Sequence, residues 1–393
     1  MRFDKIISRE GSFSEKYDLR EEKFKKSDVI PLWVADMDFP VSDAIQKALR
    51  DRLEHPIYGY TLYSDAYFDS IRNWMKKSHN FDVDREWIVP ICSIVTALNL
   101  SVLAFTKEKD KVLIQPPVYP PFFSAVKREK RTLLVNELIL SNGRYEIDFE
   151  DFEKRAKEAK LFLFCSPQNP TGRVWQREEL ERVASICKKN GIIIISDEVH
   201  ADLTYENNFH IPIATVKDAA DITVTLNAPS KSFNIAGIVR AYAVIKNDSL
   251  RRKFFEIFKR LNLSEASLIS QSATIAAYND SDIWLKRLKE YLKTNLDYLH
   301  ERFKSMKKIK PLKTESTFLL WLDCRDLGMD PKELHNWFIN EANLGLNPGF
   351  SFSSSCGGFM RLNFAVPKIV LEEAMNNLHK AYKELLLDTN NLL

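Results

Sequence analysis

Residues 191–196 read Gly-Ile-Ile-Ile-Ile-Ser, an apolar run with no polar interruption. A strand with one wet face alternates apolar and polar side chains. A strand covered on both faces has no such need, and parallel sheets flanked by helices are where such strands occur. Shorter runs of the same kind lie at Val112–Ile114, Leu161–Cys165 and Ile222–Leu226, and residues 178–190 between two of them have helical spacing. This rhythm predicts an α/β fold built on a mostly parallel sheet. Ligands of open α/β sheets collect outside the carboxyl ends of the strands, so the residues after each run are the place to look for chemistry. Three of these ends are polar: Ser-Pro-Gln-Asn-Pro-Thr-Gly (166–172), Ser-Asp-Glu-Val-His (196–200) and Asn-Ala-Pro-Ser-Lys-Ser-Phe-Asn (227–234).

Beyond residue 282 the pattern changes. A long helix is expected over Asp282–Lys308, followed by strands at Phe318–Asp323 and Phe359–Asn363, which together suggest a smaller α+β unit. The expected division is a large domain over 45–289 and a small one formed by 1–44 and 290–393. The 57 Lys+Arg nearly balance 54 Asp+Glu, leaving +3, which argues against a nucleic-acid or membrane-surface partner and for a small molecule. Five cysteines, odd in number and widely spaced, show no zinc pattern and suggest a reducing compartment. A charged N-terminal stretch and the lack of an apolar run of membrane-spanning length point to a cytoplasmic protein.

Within the polar ends, three residues carry the chemical argument. Lys231 sits in Ala-Pro-Ser-Lys-Ser-Phe-Asn-Ile-Ala-Gly, directly after an expected strand. An ordinary lysine has a pKa near about 10.4, so acting as an amine near neutral pH asks for burial or Schiff-base formation with a carbonyl cofactor. Asp197 ends an apolar strand, where an ionised carboxylate must meet a cation. A buried salt bridge or a protonated pyridine nitrogen would serve. Asn169, in a Pro-flanked turn, reads as a turn residue or as a ligand at a neighbouring strand end.

Taken in order, Cys-Ser-Pro-Gln-Asn-Pro-Thr-Gly, Ile-Ser-Asp-Glu-Val-His and Ala-Pro-Ser-Lys-Ser-Phe-Asn-Ile resemble the fold-type I pyridoxal-phosphate enzymes, whose fold is that of aspartate aminotransferase. More narrowly, Leu-Trp-Val-Ala-Asp-Met-Asp-Phe (32–39) and Gly-Phe-Met-Arg-Leu-Asn (358–363) make the chain similar to the cystathionine β-lyase and cysteine-S-conjugate β-lyase branch. The resemblance implies pyridoxal 5'-phosphate held by Lys231 as a Schiff base. Asp197 would pair with the pyridinium nitrogen, Asn169 would bond the ring hydroxyl and Tyr119 would stack on the ring. His200 takes the place where aminotransferases carry tyrosine. Phosphate would be held by Ser230, by the Ser93-Ile94-Val95 turn, and by Tyr60 from a second subunit, which implies a homodimer with composite sites. Arg361 would bind the substrate α-carboxylate, with Asp36 near the entrance.

Two departures from the wider pattern bear on activity. Many relatives have glycine near the phosphate turn, where this chain has Ile91-Cys92-Ser93, leaving a more distant backbone or a contribution from the Ser93 hydroxyl. The transaminase arginine eight residues beyond the Schiff-base lysine is replaced by Val239, with Arg240 one position later. The implied reaction is β-elimination from an L-cysteine thioether to pyruvate, ammonia and a thiol, with Lys231 as general base; Tyr119, Lys231 and a water remain alternatives for protonating the leaving thiolate. The alternatives in activity are an aminotransferase acting on an aromatic or aliphatic amino acid, and a regulatory protein that retains the cofactor.

Overall fold

The computed structural model describes residues 2–238 and 240–391; Val239, singled out above, lies outside them. The chain divides into two compact units. One comprises Val41–Asn169 and Arg173–Lys286, the other Met1–Pro40, Pro170–Gly172 and Arg287–Leu393.

The first unit is built on a seven-stranded sheet. From one edge to the other it runs Ile88–Ile91, Ala241–Val244, Thr223–Asn227, Ile193–Asp197, Ala159–Cys165, Lys111–Ile114 and Thr132–Val135. Ala241–Val244 is antiparallel to both neighbours, and every other pairing is parallel. Side chains alternate across a strand, and both sets are buried here. In Ala159–Cys165, Leu161, Leu163 and Cys165 join a core that also contains Leu98 and Val102 of the helix Ile94–Phe105, with Phe254 and Phe258 of the helix Asp248–Arg260. Phe162 and Phe164 face the other way, into an aromatic group with Phe152 and Trp175 whose ring centroids lie 5.2–6.0 Å apart. Burying a Leu, Ile or Phe side chain is worth roughly 1.5–3 kcal/mol. The central strands therefore gain on both faces, which is why their sequence need not alternate.

The helix expected over 178–190 spans Arg177–Lys189. The strand expected at Ile222–Leu226 is shifted by one residue, to Thr223–Asn227.

The second unit holds a four-stranded antiparallel sheet in the order Lys310–Pro311, Leu319–Asp323, Phe359–Asn363, Asn347–Pro348. Ile30–Pro31 of the N-terminal segment pairs in parallel with Leu344–Gly345. Gly345 is required there, because a Cβ would lie 2.7 Å from the Phe24 ring. The helix expected to reach Lys308 ends at Phe303. Tight turns follow it, with Met306 N–H bonded to Phe303 O and Ile309 N–H to Met306 O, and they carry Met306 and Ile309 into the core. Among the described residues, no helix is long and apolar enough to cross a membrane, and no group of His, Cys, Asp and Glu could hold a metal ion.

Candidate active site

Parallel pairing brings the three polar strand ends of the first unit side by side. Cys165 stands opposite Asp197, and Asp197 opposite Leu226, so the segments that follow leave the sheet at one edge. Ser166 N–H donates to Asp197 O at 3.0 Å, and Glu198 N–H to Leu226 O at 2.9 Å. Asn169 is buried, with its N–H 3.5 Å from Cys165 Sγ.

Asp197 is 5% exposed, and its carboxylate accepts the Val199 N–H at 3.2 Å. Burial pushes its carboxyl up to about 7, against the pull of that N–H and of the positive charge on Lys231. A buried carboxylate so placed favours a further cation or strong donor. Lys231 is half-buried in the turn after Thr223–Asn227, close enough to Asp197 for their charges to interact, with Ser230 half-buried beside it. His200 is 4% exposed. Tyr119 is half-buried at the start of the helix Pro121–Arg128 and packs on the sheet's apolar core.

Ser93 caps the helix Ile94–Phe105. Its hydroxyl accepts the Thr96 N–H at 3.1 Å and donates to Thr96 Oγ1 at 2.9 Å. The departure from glycine at this turn thus serves the helix, because the hydroxyl proton is directed to Thr96. Ile94 and Val95 occupy the first helical positions, whose N–H groups have no intrahelical acceptor and favour an anion. Tyr60 is fully exposed, within a segment whose Leu53, Ile57, Tyr58 and Leu62 are exposed as well.

In the second unit, Arg361 is buried at the centre of the strand Phe359–Asn363. Its Nη2 donates to Trp33 O and to Asn347 Oδ1, both at 2.8 Å, and its guanidinium lies 4.8 Å from the Phe352 ring centre. Asn363 donates to Val34 O at 2.6 Å and Asp36 O at 2.7 Å, so residues 33–36 are fastened to this strand. The Asp36 carboxylate itself is occupied: Arg9 contacts both oxygens, at 3.0 and 2.6 Å, and also reaches Asp38, which pairs with the fully buried Lys16 at 3.0 Å. Burial opposes the Arg9 charge, but the two carboxylates raise its pKa overall. Asp36 is therefore one member of an N-terminal ion-pair cluster, which limits it as a charge partner for a ligand.

Sequence reasoning missed a second group around Lys231. Asp202, two residues beyond His200, is joined to Ser232, Trp74 and His79, while Glu198 is joined to Ser196, His210 and the Ile213 N–H. The only sequence signal was adjacency, since Ser232 follows Lys231 and Glu198 follows Asp197. The histidine and tryptophan partners come from distant segments and carry no local mark.

Residues 27–378 match the family model described as Aminotransferase class I and II. The chain is 38% identical over 387 residues to cystathionine β-lyase PatB of Bacillus subtilis, covering 97% of this chain and 100% of the relative. Among solved structures, cystalysin of Treponema denticola, which contains pyridoxal 5'-phosphate, superposes with a TM-score of 0.94 at 34% identity over 98% of this chain and 99% of that one. A PLP-bound C-S lyase of Staphylococcus hominis gives 0.91 at 32%, over 97% and 98%.

Proposed function

Because the chain belongs to the class I and II aminotransferase family, we propose that it is a pyridoxal-phosphate-dependent carbon–sulfur β-lyase cleaving L-cystathionine or related L-cysteine thioethers to pyruvate, ammonia and a thiol. The carrying observation is the near-complete length over which it matches a cystathionine β-lyase, joined by likeness to two lyase structures of the same cofactor class.

Fit to the cofactor is supported by Asp197. It is a buried carboxylate whose proton affinity is raised and whose bonds so far are one long N–H contact and the charge of Lys231, so a protonated pyridine nitrogen would supply the missing cation. When bound, the cofactor supplies an electron sink for the pair left at the substrate Cα. Asp197 would keep that sink protonated at nitrogen, Asn169 would bond the ring hydroxyl and Tyr119 would cover the ring face, with the buried His200 following the same strand. Ser230 and the Ile94 and Val95 N–H groups would hold the phosphate, with the Ser93 cap fixing the start of the helix that carries those N–H groups.

Arg361 takes the α-carboxylate through its planar fork, and its bonds to Trp33 O and Asn347 restrict how that fork can turn. Lys231, as a neutral amine, removes the Cα proton; loss of the β-thiolate and hydrolysis then give pyruvate and ammonia. Tyr60 completes the phosphate site of a second copy in a homodimer, a role supported by its full exposure among exposed apolar neighbours. A cytoplasmic location accords with five cysteines that are all unpaired.

The test is incubation of purified, cofactor-loaded protein with cystathionine and no keto acid, beside Lys231→Ala. Pyruvate and thiol in equal amounts, abolished by the substitution, are expected. Turnover that requires an added keto acid would replace the lyase by an aminotransferase.

A further inference from the structure

Lys231 lies on a turn whose next two side chains are anchored away from it. The turn closes on itself through Phe233 N–H to Pro229 O at 3.0 Å and Ile235 N–H to Ser230 O at 3.1 Å. Ser232, fully buried, donates its hydroxyl to Asp202 Oδ2 at 2.6 Å. Phe233, also fully buried, sits among Trp74, Tyr278 and Trp284, with ring centroids 5.5, 6.0 and 6.3 Å away.

Trp74 acts twice, since the ring that packs on Phe233 also donates its Nε1–H to Asp202 Oδ1 at 3.0 Å. His79 Nε2 reaches the same oxygen at 2.9 Å. Trp74 and His79 belong to one helix, Asp65–His79, so a single buried carboxylate ties the turn to that helix. Burial raises the Asp202 carboxyl, but the bonds from His79, Ser232 and Trp74 more than offset it and hold the group below its ordinary range, hence ionised.

We infer that Asp202 is a positioning residue for Lys231: by gripping Ser232 it fixes the backbone from which the lysine side chain projects. This rests on the assignment of Lys231 as the base. A lysine side chain has several rotatable bonds, so its amine can be aimed only if its own backbone is held. Misplacing a reacting group by about 1 Å can cost on the order of a hundred-fold in rate. Hydrogen bonds to an ionised acceptor are among the stronger ones available for such a task.

Ser232→Ala removes the grip at the turn. Trp74→Phe removes one donor to Asp202 while keeping a ring against Phe233. In the holoenzyme both are expected to lower kcat by about ten-fold with KM little changed. They should also shift the pH at which the visible band of the bound cofactor titrates, a readout that loss of stability alone does not move. Lower thermal stability with kcat and the visible titration unchanged would overturn the proposal, as would failure of both variants to fold, since the contact would then be a folding determinant. Lys231→Ala separates the two ideas. If turnover survives that substitution, the role of Lys231 itself is wrong; if turnover is lost there but Ser232→Ala behaves as the parent, only the positioning role of Asp202 falls.

Discussion

Asp197→Asn should have opposite effects on the cofactor-free and cofactor-loaded protein. In the cofactor-free chain, burial raises the Asp197 carboxyl from 3.8 to about 7. At about 1.36 kcal/mol for each pKa unit, an ionised Asp197 costs the fold about 4 kcal/mol. A carboxyl whose folded pKa is raised leaves stability intact below the unfolded value of 3.8 and loses it as pH climbs towards about 7. The full loss is present above that.

Asparagine keeps the shape and has no charge to bury, so the cofactor-free variant should match the parent near pH 4 and exceed it at pH 8. With roughly 2 cal/mol/K of unfolding entropy per residue, 4 kcal/mol across 393 residues corresponds to about 5 °C in Tm. The loaded protein should show the reverse, because the variant would lose the ion pair proposed with the ring nitrogen and, with it, affinity for the cofactor. Thermal unfolding of both proteins, with and without pyridoxal phosphate, across this pH range is the assay. A cofactor-free variant less stable than the parent at pH 8, or a difference that does not change with pH, would refute the reasoning.

Arg361→Lys keeps the charge but loses the planar fork and at least one of the bonds to Trp33 O and Asn347; KM for an amino-acid substrate should rise by roughly ten-fold or more in steady-state assays, with a smaller change in kcat. Ser93→Ala removes the cap on the Thr96 N–H, at about 1 kcal/mol, so denaturant titration should register a loss of that size together with weaker pyridoxal-phosphate binding in equilibrium dialysis. Tyr60→Phe touches a fully exposed side chain and should leave thermal stability of the cofactor-free protein unchanged while weakening cofactor retention by about ten-fold; equal retention would remove Tyr60 from the phosphate site.

What the sequence made legible were features with a local cause. Both-sided burial leaves continuous apolar runs, so the strands Lys111–Ile114, Ala159–Cys165 and Ile193–Asp197 could be placed within a residue or two. The lysine, aspartate and asparagine at the strand ends were visible because each follows such a run. The early end of the helix at Phe303 was not legible, because residues 304–308 continue a helical composition and only the packing of Met306 and Ile309 turns the chain away. Nor was the commitment of the Asp36 carboxylate, which depends on Arg9 lying 27 residues earlier.

The acids of residues 197–202 show the same limit at the site itself. Asp197, Glu198 and Asp202 lie within six residues and look alike in sequence, yet the fold treats them differently. Glu198 is closed by His210 at 2.9 Å, by Ser196 at 2.8 Å and by the Ile213 N–H. Asp202 is closed by His79, Trp74 and Ser232. The two histidines stand 5.5 Å apart, edge to face, so the carboxylate–histidine pairs are adjacent. Asp197, which precedes both, has one backbone N–H at 3.2 Å and the charge of Lys231, and its carboxyl is pushed up where that of Asp202 is held down. An unmatched carboxylate costs stability in a chain that matched the adjacent two, and a cationic ligand would offset that cost. It follows that the acid proposed to bind the cofactor differs from its neighbours in the partners it lacks, a property fixed only when His79 and His210 have folded into place.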